Sequence, residues 1–389
     1  MPSLLTLGNF FAPEIPAVTA VRFSHGSIAQ NQVSMPKFYD YAGIIHSHSA
    51  YSFDGRAPIG EILEAARINS IDFVMLTDHS NLRAKEEGFE GWHGDTLLIV
   101  GQEIAPRFNH YLAFQIDAPV VISEDEPDID PQIYVDEVQA RGGMGFIAHP
   151  DHEGTKLFHV KHYPWLDWRV TGYTGIGIWD FMTDWQSTLR GYPRSLLSFL
   201  FPAFFLTGPG KVTLARWDRL NSNAKVVGIG ELDNHDTRKR VLGLNLSIFP
   251  FAKAFKFMRT HVITERPLVR DHARDVAALL SALRQGRAYV AGEYFRKSKG
   301  FAFVLTDNSR SATLGDDFIL ENEACLTATL PATAKIRIIK DGTVIREKIG
   351  RELTCSISDP GVYRVEAYLR VLGKYLPWIF SNPIYVKKA

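Results

Sequence analysis

Ala42-Gly43-Ile44-Ile45-His46-Ser47-His48 decides how the rest of this chain is read. A short apolar run ends in two histidines spaced two apart. Side chains alternate faces along a strand, so His46 and His48 point the same way and can share one ion. The arrangement recurs. Ile71 to Leu76 leads into Thr77-Asp78-His79, Leu97 to Val100 into Gly101-Gln102-Glu103, Met144 to Ala148 into His149-Pro150, and Ala224 to Ile229 towards Asp233-Asn234-His235. Asp54 and His110 complete a series that takes six of the thirteen histidines. Any one of these residues alone is more often an ordinary structural group. Their joint position at the ends of apolar runs points to a site assembled from distant parts of the chain, with mixed His, Asp and Glu donors that suit Zn, Mn or Fe.

Helical patterns separate the apolar runs. Pro58 to Asn69 carries Ile59, Ile62, Leu63 and Ala66 at helical spacing behind an initial proline. Pro131 to Arg141, Lys211 to Leu220 and Asp271 to Gln285 read the same way, the last with Gly286 as C-cap. Alternating strand and helix predict an α/β fold with a parallel sheet, closed or doubly wound. In a closed barrel the chemistry lies at the C-terminal strand ends, where His46, His79, Glu103, His149 and Asp233 fall. First and last strands are then neighbours, so His46/His48 and Asp233/His235 converge. Gly175 to Trp179 is a further expected strand, and His110 to Ile116 another by alternation.

After about residue 296 the pattern changes to short alternating strands: Phe301–Leu305, Cys325–Leu330, Lys335–Lys340, Glu352–Ile357 and Gly361–Leu369. Asp341-Gly342 and Asp359-Pro360-Gly361 supply turns between them. This predicts a small β-sandwich. The expected division is an N-terminal extension at 1–38, a barrel at 39–295 and a sandwich at 296–389.

A chain of 389 residues is long for one average domain, which agrees with that division. With 46% hydrophobic and 22% charged residues it falls in the ordinary globular class. Lys+Arg and Asp+Glu both number 43, so no global charge draws it to nucleic acid or membrane. A small anionic substrate would need a local positive site. Cys325 and Cys355 lie far from the ligand series; two free thiols are preferred over a disulfide. Met1 to Ala20 lacks the basic start of a secretory signal, which gives a cytoplasmic expectation. The apolar stretch Ser195 to Leu206 is too short to span a bilayer and is broken by Pro202. It reads as a buried helix, with a lid or a homo-oligomer contact as the alternative.

The motifs His46-Ser47-His48-x5-Asp54-Gly55, Thr77-Asp78-His79, Glu103, His110, Ala148-His149-Pro150 and Asp233-x-His235 resemble the PHP (polymerase and histidinol phosphatase) family of metal-dependent phosphoesterases over about residues 40–290. Ala282 to Tyr289, Gly361 to Glu366 and Trp378 to Tyr385 look like the CehA/McbA-type metallohydrolase branch. The resemblance implies a distorted (β/α)7 barrel followed by an immunoglobulin-like sandwich. It also implies two or three divalent ions: one on His46, His48, Glu103 and Asp233, a second on Glu103, His110 and His149, a third on Asp54, His79 and His235. The last motif usually reads Gly-Ser-Asp-Ala-His; here Glu231 and Asn234 depart from it. Asp78 is expected to orient a ligand. A metal-bridging hydroxide would attack a small phosphate ester, with Arg56 meeting the phosphate and His152 protonating the leaving group. Surface roles are the plainer fate of Arg56, His152 and the basic run Arg238-Lys239-Arg240. A carboxyl ester, carbamate or amide substrate is the alternative, and a non-catalytic assembly protein with structural metals the third reading.

Overall fold

The computed structural model describes residues 37–122, 129–241 and 244–389. The fold is mixed α/β. In chain order its first part comprises β1 (Tyr39–Ile45), α1 (Ile59–Ile68), β2 (Phe73–His79), α2 (Arg83–Glu86), β3 (Gly91–His93), β4 (Thr96–Ile104), β5 (Tyr111–Phe114), α3 (Pro131–Ala140), β6 (Met144–Ile147), β7 (Gly175–Asp180), α4 (Phe181–Ser187), α5 (Tyr192–Leu200), α6 (Lys211–Asn221) and β8 (Val227–Glu231). Then follow the hairpin β9 (Thr237–Val241) and β10 (Leu244–Ile248), α7 (Phe251–Ala254), β11 (Met258–Thr264), α8 (His272–Arg284) and β12 (Ala288–Gly292). The remainder is strand: β13 (Ala302–Thr306), β14 (Ser311–Thr313), β15 (Asp317–Leu320), β16 (Ala324–Lys340), β17 (Thr343–Ile357), β18 (Gly361–Val371), β19 (Lys374–Ser381) and β20 (Ile384–Lys388).

Local chemistry explains the helix ends. Asp130 accepts a bond from Gln132 N at 2.9 Å ahead of Pro131, and Asp271 accepts one from Arg274 N at 2.9 Å. Gly286 takes φ 79°, the left-handed turn that ends α8 where the sequence placed it. α1 buries Ile59, Ile62 and Ala66 of the stripe its spacing predicts, with Ala65 beside them, while Leu63 is half-buried.

One face of the sheet places Ile44, Val74, Leu76, Leu98 and Val100 in a core shared with α1, α3 and α6. The alternate residues Ile45, Phe73, Met75, Leu97 and Ile99 join a second core with Leu279, Leu280 and Leu283 of α8. Strands buried on both faces must be apolar throughout, which is why they appear as unbroken runs.

The sheet is mixed, which corrects the expectation of a parallel one. β1 pairs parallel with β2 and β2 with β4, as β6 does with β7 and β7 with β8. β5 runs antiparallel to both β4 and β6. β1, β2, β4, β6, β7 and β8 therefore all point one way, and β5 begins where they end. β8 is not the last strand of this region, because β11 pairs antiparallel with β1 and β12 with β11. β12 then bonds to β19, so one hydrogen-bonded sheet of 18 strands continues into the C-terminal part.

That part has its own core around Phe303, Leu326, Ile336, Ile338, Val365 and Trp378. Cys325–Leu330 and Lys335–Lys340, expected as two strands, form the single strand β16 with a register shift between Thr329 and Ala334. Both cysteines are free thiols. Arg364 on β18 grips Asp218 of α6 through Nε and Nη2 at 2.7 and 2.8 Å, a partly buried bidentate pair between the two parts. The segment 195–206 is not the buried helix expected: Leu196, Leu197, Leu200 and Phe201 are exposed. No helix among the described residues is long and apolar enough to cross a membrane. Apart from Lys37 and Phe38, the N-terminal extension lies outside the described residues.

Candidate metal centre

Because six strands share a direction, their C-terminal ends meet at one edge of the sheet. His46 follows β1, His79 ends β2, Glu103 lies near the end of β4, His149 follows β6, and Asp233 lies two residues beyond β8. His110 precedes β5, whose reversed direction brings its start to the same edge. The ends of β1 and β8 are joined by Asp233 N to His46 O at 2.9 Å and His48 N to Asn234 O at 3.0 Å. Arg56 N bonds His235 O at 3.2 Å, which carries the Asp54 loop to the same place.

All nine residues of the ligand series converge. The Glu103 carboxylate, 1% exposed, lies at the centre. Its Oε2 is 3.1 Å from His46 Nε2, 3.2 Å from His48 Nε2 and 3.4 Å from His79 Nδ1. Its Oε1 is 2.8 Å from His110 Nδ1 and 3.3 Å from His149 Nε2. Asp233 Oδ1 lies 3.4 and 3.5 Å from the Nε2 atoms of His46 and His48. Asp54 Oδ2 lies 3.5 Å from His79 Nε2 and 3.3 Å from His235 Nε2. Three sets of donors each gather within reach of one point: His46, His48, Glu103 and Asp233; Glu103, His110 and His149; and His48, Asp54, His79 and His235.

The donor set fits cations better than it fits itself. His48 Nε2, His79 Nδ1, His149 Nδ1 and Asp54 Oδ1 are buried without a hydrogen-bond partner. Four such atoms in one place are costly unless something else satisfies them. His48 Nε2 and Glu103 Oε2 are close but not aligned to bond each other. Two ligand atoms around a tetrahedral Zn at about 2.0–2.1 Å stand about 3.3–3.4 Å apart, close to the separations seen here. Strain points the same way: His46, His149 and Asp233 have positive φ of 69°, 26° and 49°. Such conformations persist at non-glycine residues only where surroundings enforce them.

Electrostatics follow from burial and crowding. Burial opposes protonation of His46, but Glu103 and Asp233 overcome it and raise its pKa well above the usual value. Burial pushes His48 down, helped by His235 and His79. For Glu103 burial favours the neutral acid, yet His46, His79 and His110 hold it well below the usual carboxylate range.

Supporting groups orient this set. Glu231 Oε2 accepts from His46 Nδ1 at 2.8 Å, so Nε2 is the nitrogen turned to Glu103 and Asp233. Glu231 Oε1 accepts from His149 N at 2.9 Å. A Cβ on Gly177 would stand 1.3 Å from Glu231 Oε1, so the glycine makes room for this carboxylate. Ser52 Oγ accepts from His79 N at 2.8 Å and meets His48 Nδ1 at 3.1 Å. Asp78 accepts from Ser49 N and Oγ at 2.6 and 2.7 Å; it fastens the turn after His48 and bonds no member of the series directly.

Among the weaker sequence candidates, Arg56 is exposed and bonds the carbonyls of Phe53 and Gly55 in its own loop. His152 is buried, which corrects the exposed reading, and its ring lies 5.4 Å from that of His149. Burial and then His149 push its pKa down to about 4. Arg238 is occupied by Asp236 at 2.8 Å; the side chains of Lys239 and Arg240 lie outside the described residues. Sequence reading missed Asp180, although it ends β7 as Glu103 nearly ends β4. Asp180 Oδ1 caps α4 through Thr183 N, and Oδ2 is buried without a partner. Burial, then Asp233 and Glu231, raise its pKa to about 7. An acidic residue directly after an apolar run was the signal available.

No protein-family model matches the chain, and no curated protein does. Among solved structures its neighbours include a two-domain protein from Bacteroides vulgatus containing a predicted PHP-like metal-dependent phosphoesterase, at 15% identity over 92% of this chain and 100% of that one, with a TM-score of 0.40. A candidate metal-dependent phosphoesterase from Bifidobacterium adolescentis shares 16% identity over 55% of this chain and 94% of its own, with a TM-score of 0.30. An amidohydrolase from Chromobacterium violaceum with bound sulfate and no metal shares 13% over 54% and 92%, with a TM-score of 0.29. At values this low, what the site can do rests on its own geometry.

Proposed function

We propose that this chain is a metal-dependent hydrolase of the PHP type, acting on a small phosphate ester. The observation that carries the reading is the convergence of nine His, Asp and Glu donors in three overlapping sets around one buried carboxylate. We read residues 39–295 as a distorted (β/α)7 barrel and 296–389 as an immunoglobulin-like sandwich. The ligands are His46, His48, Asp54, His79, Glu103, His110, His149, Asp233 and His235. Two or three divalent ions, Zn, Mn or Fe, held there would lower the pKa of coordinated water and polarise the bond to be cut.

The chain's own groups do the rest. Glu103 divides its two oxygens between neighbouring donor sets and so fixes their spacing. Glu231 holds the proton of His46 Nδ1 and keeps its other nitrogen free. His152 Nδ1 accepts from Tyr163 N at 3.2 Å, which puts the ring proton on Nε2, and Gln186 is within hydrogen-bond reach of the ring. Arg56, at the rim beside His235, is the cation an arriving anionic ester would meet. Phosphate suits a site whose main resource is concentrated positive charge, since neutralising developing negative charge is most of that reaction's difficulty.

The test is hydrolysis of aryl phosphates by protein loaded with Mn, Zn or Fe, beside aryl carbamates and carboxyl esters. Phosphate turnover that His46→Ala abolishes supports the reading. Turnover of carbamate or carboxyl ester alone replaces the substrate class. No turnover of any substrate, or a His46→Ala variant equal to wild type, removes the hydrolase.

A further inference from the structure

α5 is built inside out. It buries Ser195 and Ser198 and turns Tyr192, Leu196 and Leu200 to solvent, at 72%, 60% and 53% exposure, with Phe201 behind them at 54%. Its inner face is satisfied by polar contacts: Ser195 Oγ donates to Gly191 O at 2.8 Å, Ser198 Oγ meets Thr188 Oγ1, and Trp185 Nε1 donates to Ser198 O. The apolar face is therefore a feature of the folded helix and not a core residue set that failed to pack. Phe158, 44% exposed on a separate loop, meets Tyr192 edge-on at 6.4 Å and extends the patch.

Charge along the segment that bears α5 has one sign, and the Phe158 loop beside it carries Lys156 and Lys161 against one exposed acid, Glu153. From Trp185 to Trp217 the sequence contains Arg190, Arg194, Lys211 and Arg216 but no Asp or Glu. Arg216 is neutralised by Asp151 at 2.9 Å. Arg190 and Arg194 bond only the carbonyls of Ser187 and Thr188, and Lys253 stands 5.3 Å over the ring of Phe199; none of these three meets a carboxylate among the described residues. A second copy docked face to face would bring these cations together against a single exposed acid from each copy, Glu153. An anionic lipid surface matches both the apolar face and the charge.

We propose that α5 and the Phe158 loop dock this protein on an anionic membrane surface, lying in the interface without crossing it. The full chain is sedimented with phosphatidylcholine vesicles with and without phosphatidylglycerol. Wild type is expected to pellet with the anionic vesicles and to be released as salt rises. Leu196→Ser combined with Phe201→Ser should weaken that binding at least about tenfold without lowering the melting temperature, and Arg190→Glu with Arg194→Glu should remove the preference for anionic lipid. No vesicle binding by wild type, or equal binding by the variants, overturns the proposal. So does a concentration-dependent dimer in analytical ultracentrifugation that Leu200→Ser dissolves, which would assign the face to a second copy.

Discussion

Two buried clusters in this protein use the same residue types and do opposite things with them. At the C-terminal strand ends, six histidines crowd around Glu103, Asp54 and Asp233 and leave four donor or acceptor atoms unpartnered. On β11 and β12, His261 has both ring nitrogens hydrogen-bonded to carboxylates. Its Nδ1 lies 2.6 Å from Asp40, its Nε2 3.2 Å from Glu293 and 3.0 Å from Ser298 Oγ, while Tyr289 OH donates to Asp40 at 2.8 Å. Here each ring nitrogen faces its own carboxylate, and the hydroxyls of Tyr289 and Ser298 complete the bonds around both nitrogens. A histidine with both nitrogens bonded to carboxylates is satisfied within the fold; buried nitrogens left without a partner, as at His48, His79 and His149, suit a cation.

Glu103→Ala tests the open cluster most severely. It removes the donor common to two sets and should lower kcat/KM by at least about 10³-fold, with bound metal falling by elemental analysis. An unchanged metal content would break the contrast. The mirror experiment is His261→Ala, which strands Asp40 and Glu293 in the interior. It should cost about 3–5 kcal/mol of stability in denaturant unfolding while metal content and turnover per folded molecule stay at wild-type values.

The closed cluster also makes a pH prediction. Burial opposes charge on His261, but Asp40 and Glu293 overcome it and raise its pKa to about 9. The folded state therefore binds the proton more tightly than the unfolded chain, whose histidine titrates near about 6.5. The stabilisation is fully present below that value and is lost as pH rises through about 9, a change of roughly 3 kcal/mol. Thermal unfolding between pH 6 and 10 should show this decline, and His261→Gln should flatten it; an equal decline in the variant would sink the assignment. The smallest expected effect belongs to Glu231→Gln, which keeps the shape against Gly177 but weakens the hold on His46. Activity should fall about 10–100-fold through metal affinity, and excess metal should restore part of it. No recovery with metal would mean that Glu231 does not act through His46.

Much of this was legible in the chain because periodicity and terminal polarity are local. The runs before His46, His79, Glu103 and His149 announced strands buried on both faces, and Pro58, Asp130, Asp271 and Gly286 marked helix ends. What stayed hidden was pairing direction. Nothing local in Tyr111–Phe114 or Met258–Thr264 tells whether a strand lies parallel or antiparallel to its neighbours. α5 misled for a related reason, since apolar content forecasts burial only if a core lies on that side.

By itself, the sequence picked out nine candidate donors and set most of them beside the ends of strands, because those are properties of spacing along the backbone. Only the tertiary structure decided that the six strand ends share one edge and that reversing β5 brings His110 to it, beside the Glu103 that the resemblance already implied as the shared ligand. Those outcomes depend on hydrogen bonds and packing between segments far apart in the chain, which no short stretch encodes.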